Sequence, residues 1–209
     1  MLKLFSLYWV LLVNGRFCSL NDLGGYSVIN RIIGVLKLDV NTYEEIEADE
    51  SATSQAAIVV AIVAIIGGLI GGGINAAMGG SFLGSFISTV LNAFVGWFIW
   101  AAVTYFVGTS LFGGQSTMGQ MLRVLGFAQA PGILGIIPVC GSFIGWIWTL
   151  VCTFIAIRQG LDLDNGKAAA TAVIAFIAVF VVSLIIAAIL TAVGLTAGAS
   201  LEALQGFGQ

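Results

Sequence analysis

Residues 56–78 read AAIVVAIVAIIGGLIGGGINAAM, without one charged side chain. At 1.5 Å per residue a helix over this range is about 34 Å long, enough to cross a hydrocarbon core about 30 Å thick. Further stretches with at most one charge follow at 82–107, 118–139, 143–157 and 168–193. The sequence therefore predicts five membrane-spanning helices.

The composition supports lipid as the surrounding medium. Apolar residues make up 59% of the 209 residues and charged residues 8%, whereas a soluble domain is about a quarter charged. In lipid only helices and closed barrels satisfy every backbone group, and barrel strands alternate polar with apolar residues. The unbroken apolar runs predict an all-α integral membrane protein, a five-transmembrane-helix bundle with an N-terminal amphipathic helix.

Several function classes are disfavoured by what the sequence lacks. It contains no histidine, the commonest general base and zinc ligand. Its cysteines, Cys18, Cys140 and Cys152, have no paired spacing, and no GK[ST] follows the glycines at 67–73. Lys and Arg are not clustered as nucleic-acid binding requires. We therefore predict no enzyme, no catalytic or metal-binding residue, no cofactor and no nucleic-acid partner.

The N-terminal quarter divides into two segments. Residues 1–25 are interpreted as an uncertain extension, with an interfacial segment as the alternative. Residues 26–55 hold an amphipathic stretch, Tyr26–Leu38, which suits either a helix on the membrane surface or an ordinary packed helix. The acidic run at 41–50 is typical of a solvated juxtamembrane face; a divalent-cation site is the alternative, although no calcium-loop spacing is present.

Charge predicts the orientation. With five spans, 56–193 forms the membrane domain and 194–209 a short tail, and all seven Lys and Arg residues lie on one side. The positive-inside rule makes that side cytoplasmic, so we expect a cytoplasmic N-terminus and an outside C-terminus in the cell membrane. The expected cytoplasmic docking residues are Arg123, Arg158, Asp162, Asp164 and Lys167.

Small residues mark the expected helix-packing faces. Two overlapping pairs have the GxxxG spacing that lets helix backbones approach closely, and further small residues lie on the fourth and fifth spans. The third span contains Pro131, which should break the helix near Ala130. The candidate helix-packing residues are Gly67, Gly68, Gly71, Gly72, Gly141, Gly145, Ala175 and Ser183.

Three segments carry a family resemblance. They are LKLDVNTYEEIEADESATSQA (36–56), MLRVLGFAQAP (121–131) and IAIRQGLDLDNGKAAATAVI (155–174). In this order they resemble the Yip (Ypt/Rab-interacting protein) domain family in its bacterial form, over about Tyr26–Ala192. The resemblance implies a five-span domain with a cytoplasmic N-terminus. The Asp-Leu-Tyr-Gly-Pro element of eukaryotic members is absent, so Rab-type GTPase binding is not expected.

These observations favour a scaffold or accessory subunit that acts through helix packing. Its expected partners are membrane lipids and other integral membrane proteins, or copies of itself. A small transporter or channel is the alternative, because Asn92 and the break at Pro131 are features that transport pathways share.

Overall fold

The computed structural model describes residues 24–137 and 140–192, and within these ranges every regular element is a helix. Two short helices come first, α1 over Gly24–Leu36 and α2 over Val40–Ala48. Four helices are long and apolar enough to cross a membrane: α3 over Ala52–Ala77, α4 over Phe82–Phe112, α6 over Cys140–Gly160 and α7 over Asn165–Ala192. The predicted all-helical fold is therefore confirmed for these ranges, with four helices that could span a membrane.

The hairpin of α3 and α4 forms where predicted, with a tight turn at its tip. Gly79 has a φ of 85°, in the left-handed region that glycine occupies without steric cost. Ser81 then caps α4, because its side chain accepts a hydrogen bond from the backbone N–H of Gly84. At its other end α4 continues five residues beyond the predicted Val107, to Phe112.

The third predicted span is a broken segment. Its first part, α5 over Met118–Phe127, begins with a capping box formed by Thr117 and Gln120. A 3₁₀ helix, Ala130–Ile136, follows, with Pro131 in its first turn. Proline lacks the N–H that an α-helix needs and clashes with the preceding turn, so the predicted break near Ala130 is confirmed. Neither part has the length of a spanning helix.

The last two long helices exceed their predicted ranges of 143–157 and 168–193 at their facing ends. The connection between them is only four residues long, at 161–164. It turns through Asp162, whose φ is 51°, and Asp164 caps the backbone N–H of Lys167 at 3.0 Å.

Burial is concentrated at one end of the bundle. We call this the charged end; it comprises α1, α2 and the connections at 113–117 and 161–164, opposite the turn at 79–81. Its core contains fully buried Tyr43 and Ile46 of α2, Phe127 of α5 and Ile157 of α6. Beyond Ala175, by contrast, α7 exposes large apolar side chains such as Phe176 and Phe180. Such exposure is expected where lipid, not water, surrounds the helix.

Candidate functional site at the charged end

The helical hairpin of α1 and α2 packs against α6. The Tyr43 side chain is fully buried, and its hydroxyl donates to the carbonyl oxygen of Cys152 at 3.3 Å. The Trp148 indole N–H donates to the carbonyl oxygen of Leu36 at 3.0 Å. These bonds join residues more than one hundred positions apart. The hairpin of α1 and α2 is therefore an integral part of the bundle. Burial raises the pKa of Tyr43, which keeps its hydroxyl protonated as a donor.

Arg31 connects α1 to the two helices that follow it. Its guanidinium lies 2.8 Å from a carboxylate oxygen of Glu45 and 2.6 Å from one of Asp49, and it donates to the Gln55 side chain at 2.7 Å. Only 7% of Arg31 is exposed. Hydrogen bonds from the Ser51 side chain and from Arg31 lower the pKa of Asp49, so this carboxylate stays ionised. The cluster fixes the angle at which the hairpin meets α3.

Arg123 makes the corresponding connection from α5 to α2. Two of its nitrogens donate to the backbone carbonyl oxygen of Glu47, at 3.1 and 2.6 Å. The neighbouring Gln120 side chain donates to the Glu47 carboxylate at 2.8 Å. Arg123 is 7% exposed, which corrects the prediction that it lies on the docking surface. Its charge is used inside the protein, because the Glu47 carbonyl of α2 folds over it and accepts two of its hydrogen bonds.

Burial also changes the acidity of Glu47. Its pKa is raised to about 7, first by burial and next by the nearby charge of Asp162, while Arg123 opposes the rise. The carboxyl group therefore holds its proton more tightly in the folded protein than in the unfolded chain, where the value stays near 4.5. Stability should then fall as pH rises between these two values and level off above the higher one.

We expect the free energy of unfolding to drop by about 1 kcal/mol between pH 5 and pH 8. This is less than the full shift implies, because the partly exposed side chain is screened by solvent. Denaturant unfolding in detergent micelles at four pH values measures the drop. Glu47→Gln should flatten the profile, and Glu50→Gln, which changes an exposed acid nearby, should not. An unchanged slope in Glu47→Gln would contradict the assignment.

The other predicted docking residues lie together at the end of α6 and the start of α7. Arg158 is half-buried, and Asp162, Asp164 and Lys167 are exposed. The connection is held to the rest of the bundle by Leu161, which is fully buried and whose carbonyl oxygen accepts from the Gln115 backbone at 3.0 Å. No group of three or more metal-ligating side chains with suitable geometry occurs in the described ranges, including the acidic helix α2.

The predicted packing glycines of α3 face two directions. A Cβ built on Gly68 would lie 2.9 Å from the Phe86 ring, and one built on Gly72 would lie 2.9 Å from the Phe82 ring, so this pair packs against α4. Among residues 24–137 and 140–192, Gly71 has no neighbouring atom within 4 Å of such a Cβ, and Gly67 has only a methyl carbon at 3.9 Å. In this part of the chain the first pair packs against α4 and the second is open.

The remaining small residues also differ in their surroundings. Gly141 and Gly145 of α6 pack against the 3₁₀ helix; a Cβ on Gly145 would lie 2.8 Å from the carbonyl oxygen of Pro131. Ala175 is fully buried. Ser183 is exposed and donates to the carbonyl oxygen of Val179 in its own helix at 2.8 Å. The predicted stripe on α7 therefore packs at Ala175 and not at Ser183.

Sequence reasoning missed the residues that organise this end. Tyr43 and Trp148 bond to partners more than one hundred positions away, and Arg31 bonds to residues of the next two helices; no local pattern predicts these pairs. The start of α5 could have been predicted from the capping box of Thr117 and Gln120, since Ser or Thr followed three positions later by Glu or Gln marks a helix start.

Comparison with known proteins gives one match. A family model described as the Yip1 domain matches residues 33–200, well over half of the 209 residues. No curated protein and no solved structure matches. The matched range includes Tyr43, Glu47, Arg123 and the connection at 161–164, which are the parts that assemble the charged end. The chain belongs to the Yip1 domain family of membrane proteins.

Proposed function

We propose that this protein is a non-enzymatic scaffold or accessory subunit that associates with other integral membrane proteins, or with itself, through its helices. The proposal rests on the open pair Gly67 and Gly71 on α3. Small residues at this spacing allow a second helix to approach closely in lipid, where packing drives association. Since Gly68 and Gly72 already pack against α4, the adjacent edge of α3, about 100° around the helix, is available to a partner in the described part of the chain.

The charged end supplies the second part of the proposed contact. Asp162, Asp164 and Lys167 are exposed there, as are Glu44 of α2 and Glu50, which follows that helix. The buried arginines, Arg31 and Arg123, are held by internal hydrogen bonds. A partner on this side would therefore meet a mainly acidic surface, and residues of opposite charge would complement it.

Leucine substitutions on α3 test the proposal. Gly71→Leu should weaken association about tenfold, the change that a loss of about 1.4 kcal/mol produces, without lowering the thermal midpoint. Gly68→Leu is the matched control and should lower the midpoint, because its side chain meets Phe86. Cross-linking in native membranes and co-purification in mild detergent measure association. If the protein is recovered as a monomer without a partner, and Gly71→Leu changes neither cross-linking nor co-purification, the proposal is overturned.

We further propose that the broken segment crosses the membrane as the third of five spans. Its contacts with α6 support an antiparallel course along most of that helix. Gly160 lies against Val124, Gly145 against Pro131 and Gly141 against Ile137. Along α6, Gly141 and Gly160 are 19 positions apart, which is about 28 Å of helix. This length is close to the thickness of the hydrocarbon core.

Labelling of single cysteines tests this topology. In a protein that lacks the three natural cysteines, we expect Gly80→Cys to react with an impermeant maleimide in intact cells. Asp164→Cys should react only after permeabilisation, since five spans place the charged end in the cytoplasm and the C-terminus outside. If the broken segment did not cross, Asp164→Cys would be labelled from outside. That result would reduce the count to four.

The transporter alternative has one structural feature in its favour, the break in the third span. Gly145 packs on the Pro131 carbonyl, and a crevice of about 240 Å³ lies beside this contact, lined by Gly132, Gly135 and Trp146 among others. Asn92, the other residue on which this alternative depends, is exposed and donates to the Ser88 carbonyl of its own helix at 2.8 Å. Because the Asn92 side chain is bonded within its own helix and does not face this crevice, we favour the scaffold. Solute flux into liposomes that Pro131→Ala abolishes would favour the transporter.

A further inference from the structure

A crevice of about 290 Å³ opens on the side of the bundle between α4, α6 and α7. Three of its lining side chains, Leu150, Val173 and Phe176, are about half exposed, so the crevice opens sideways, toward the lipid if these helices span a membrane. Thr153 contributes the one hydroxyl. The other lining residues are Trp100, Phe154 and Ala172.

Size and shape restrict what can occupy the crevice. Its volume is at the lower limit for small-molecule sites, which run from about 300 to 1,000 Å³. Along α6 the lining runs from Leu150 to Phe154, and along α7 from Ala172 to Phe176, about 6 Å in each case. A helix is about 10 Å wide and needs a longer face. A single hydrocarbon chain fits better.

A positive charge lies at the mouth of the crevice. Arg158 follows Phe154 by four residues, so it lies one turn nearer the charged end and about 40° around α6 from Phe154, where its long side chain can reach the edge of the crevice. In the described part of the chain the Arg158 side chain has neither an ion pair nor a hydrogen bond. The Trp100 indole N–H has no acceptor there either. Trp100, which lines the crevice, and Arg158, which lies next to it along α6, thus each carry a free donor, and that of Arg158 is charged.

We propose that this crevice binds an anionic phospholipid. One acyl chain lies between α6 and α7, and the phosphate accepts hydrogen bonds from the Arg158 guanidinium. Guanidinium groups match phosphate oxygens in geometry and charge, and the apolar crevice matches the chain. The site requires the membrane placement proposed above and is independent of the scaffold role.

Lys167 provides a matched control for the charge. It precedes Phe176 by nine residues, which puts it on the opposite side of α7 from the crevice. Replacing Lys167 by glutamine removes one positive charge from the same end of the protein, as Arg158→Gln does. Lipid that is held by general electrostatic attraction alone would respond equally to both substitutions.

Native mass spectrometry of the delipidated full-length protein tests the site. Phosphatidylglycerol and phosphatidylcholine with identical chains are the probes. We expect phosphatidylglycerol to bind about tenfold more tightly, and Arg158→Gln to remove this preference while Lys167→Gln retains it. Equal affinity for the two lipids, or equal losses in the two variants, would overturn the proposal.

Filling the crevice tests the chain-binding part. Ala172→Phe should weaken binding of both lipids, and Val181→Phe, which adds a ring on the other side of α7, should not. A thermal midpoint within a few degrees of the unsubstituted protein verifies the fold of each variant. If Ala172→Phe fails to fold, Thr153→Leu fills the crevice from α6. Undiminished binding by a folded crevice variant would show that the chain lies elsewhere.

Discussion

Replacing Arg123 by methionine should lower the free energy of unfolding by about 3 kcal/mol, because a buried carbonyl would lose charged hydrogen bonds worth about 1.5–3 kcal/mol each, only partly additively. The substitution removes the hydrogen bonds that Arg123 donates to the Glu47 carbonyl oxygen and a longer one that it donates to the Thr53 hydroxyl at 3.4 Å. Without them, the hydrogen bond from Gln120 to the Glu47 carboxylate is what remains of this connection between α5 and α2. Denaturant unfolding in detergent micelles measures the loss.

Two further substitutions serve as controls for Arg123→Met. Arg123→Lys should recover only part of the stability, since an ammonium group cannot donate from two nitrogens in the fork geometry of arginine. Lys167→Met, which removes an exposed cation, should change stability by less than about 0.5 kcal/mol. If Arg123→Met proved no more harmful than Lys167→Met, the connection between α5 and α2 would contribute nothing to the fold.

Gly126→Leu should be of similar severity, at about 3 kcal/mol, the upper end of the usual cost of overpacking. A Cβ at this position would lie 2.8 Å from the Ala56 Cβ and 3.1 Å from the Trp97 ring. Neither neighbour can move easily. Ala56 is fully buried, and the Trp97 indole donates to the Leu122 carbonyl oxygen at 3.0 Å. The larger side chain must therefore push α5 away from α3 and α4.

Gly96→Leu is the matched control. Gly96 precedes Trp97 on α4, is exposed, and has no atom within 4 Å of a built Cβ. In lipid the added side chain would simply meet hydrocarbon, so we expect an unchanged thermal midpoint and an unchanged monodisperse fraction after extraction. Equal behaviour of Gly126→Leu and Gly96→Leu would mean that the close approach of α5 to the hairpin is not required.

The two arginines show why the candidate site was only partly predictable. Arg31 lies in the stretch Tyr26–Leu38 that the sequence predicts to be amphipathic, and Arg123 was expected among the cytoplasmic docking residues. Both instead lie 7% exposed beneath α2. The acceptors of an arginine depend on which element folds over it. Here that element is α2, whose Glu45 lies 14 positions after Arg31 and whose Glu47 lies 76 positions before Arg123. Contacts of this range leave no local pattern.

Glycine spacing was informative but ambiguous for a related reason. Two overlapping GxxxG pairs on α3 predicted close helix packing without specifying which pair packs against which helix. The tight turn at 79–81 returns α4 along one side only, so Gly68 and Gly72 are covered and Gly67 and Gly71 are not. In the sequence the two glycine pairs look alike. The position of the neighbouring helix in the folded protein decides which pair is covered.

The sequence alone determined that the chain is helical, that lipid is its medium and that proline breaks its third apolar stretch. Each of these depends on the residue itself or on its near neighbours: hydropathy summed over one helix length, and the missing N–H of Pro131. Only the tertiary structure decided that the N-terminal hairpin is part of the core, that Arg123 is buried, and where a crevice opens beside Arg158. These outcomes depend on which side chains from distant helices arrive at the same place, and hydropathy carries no information about that.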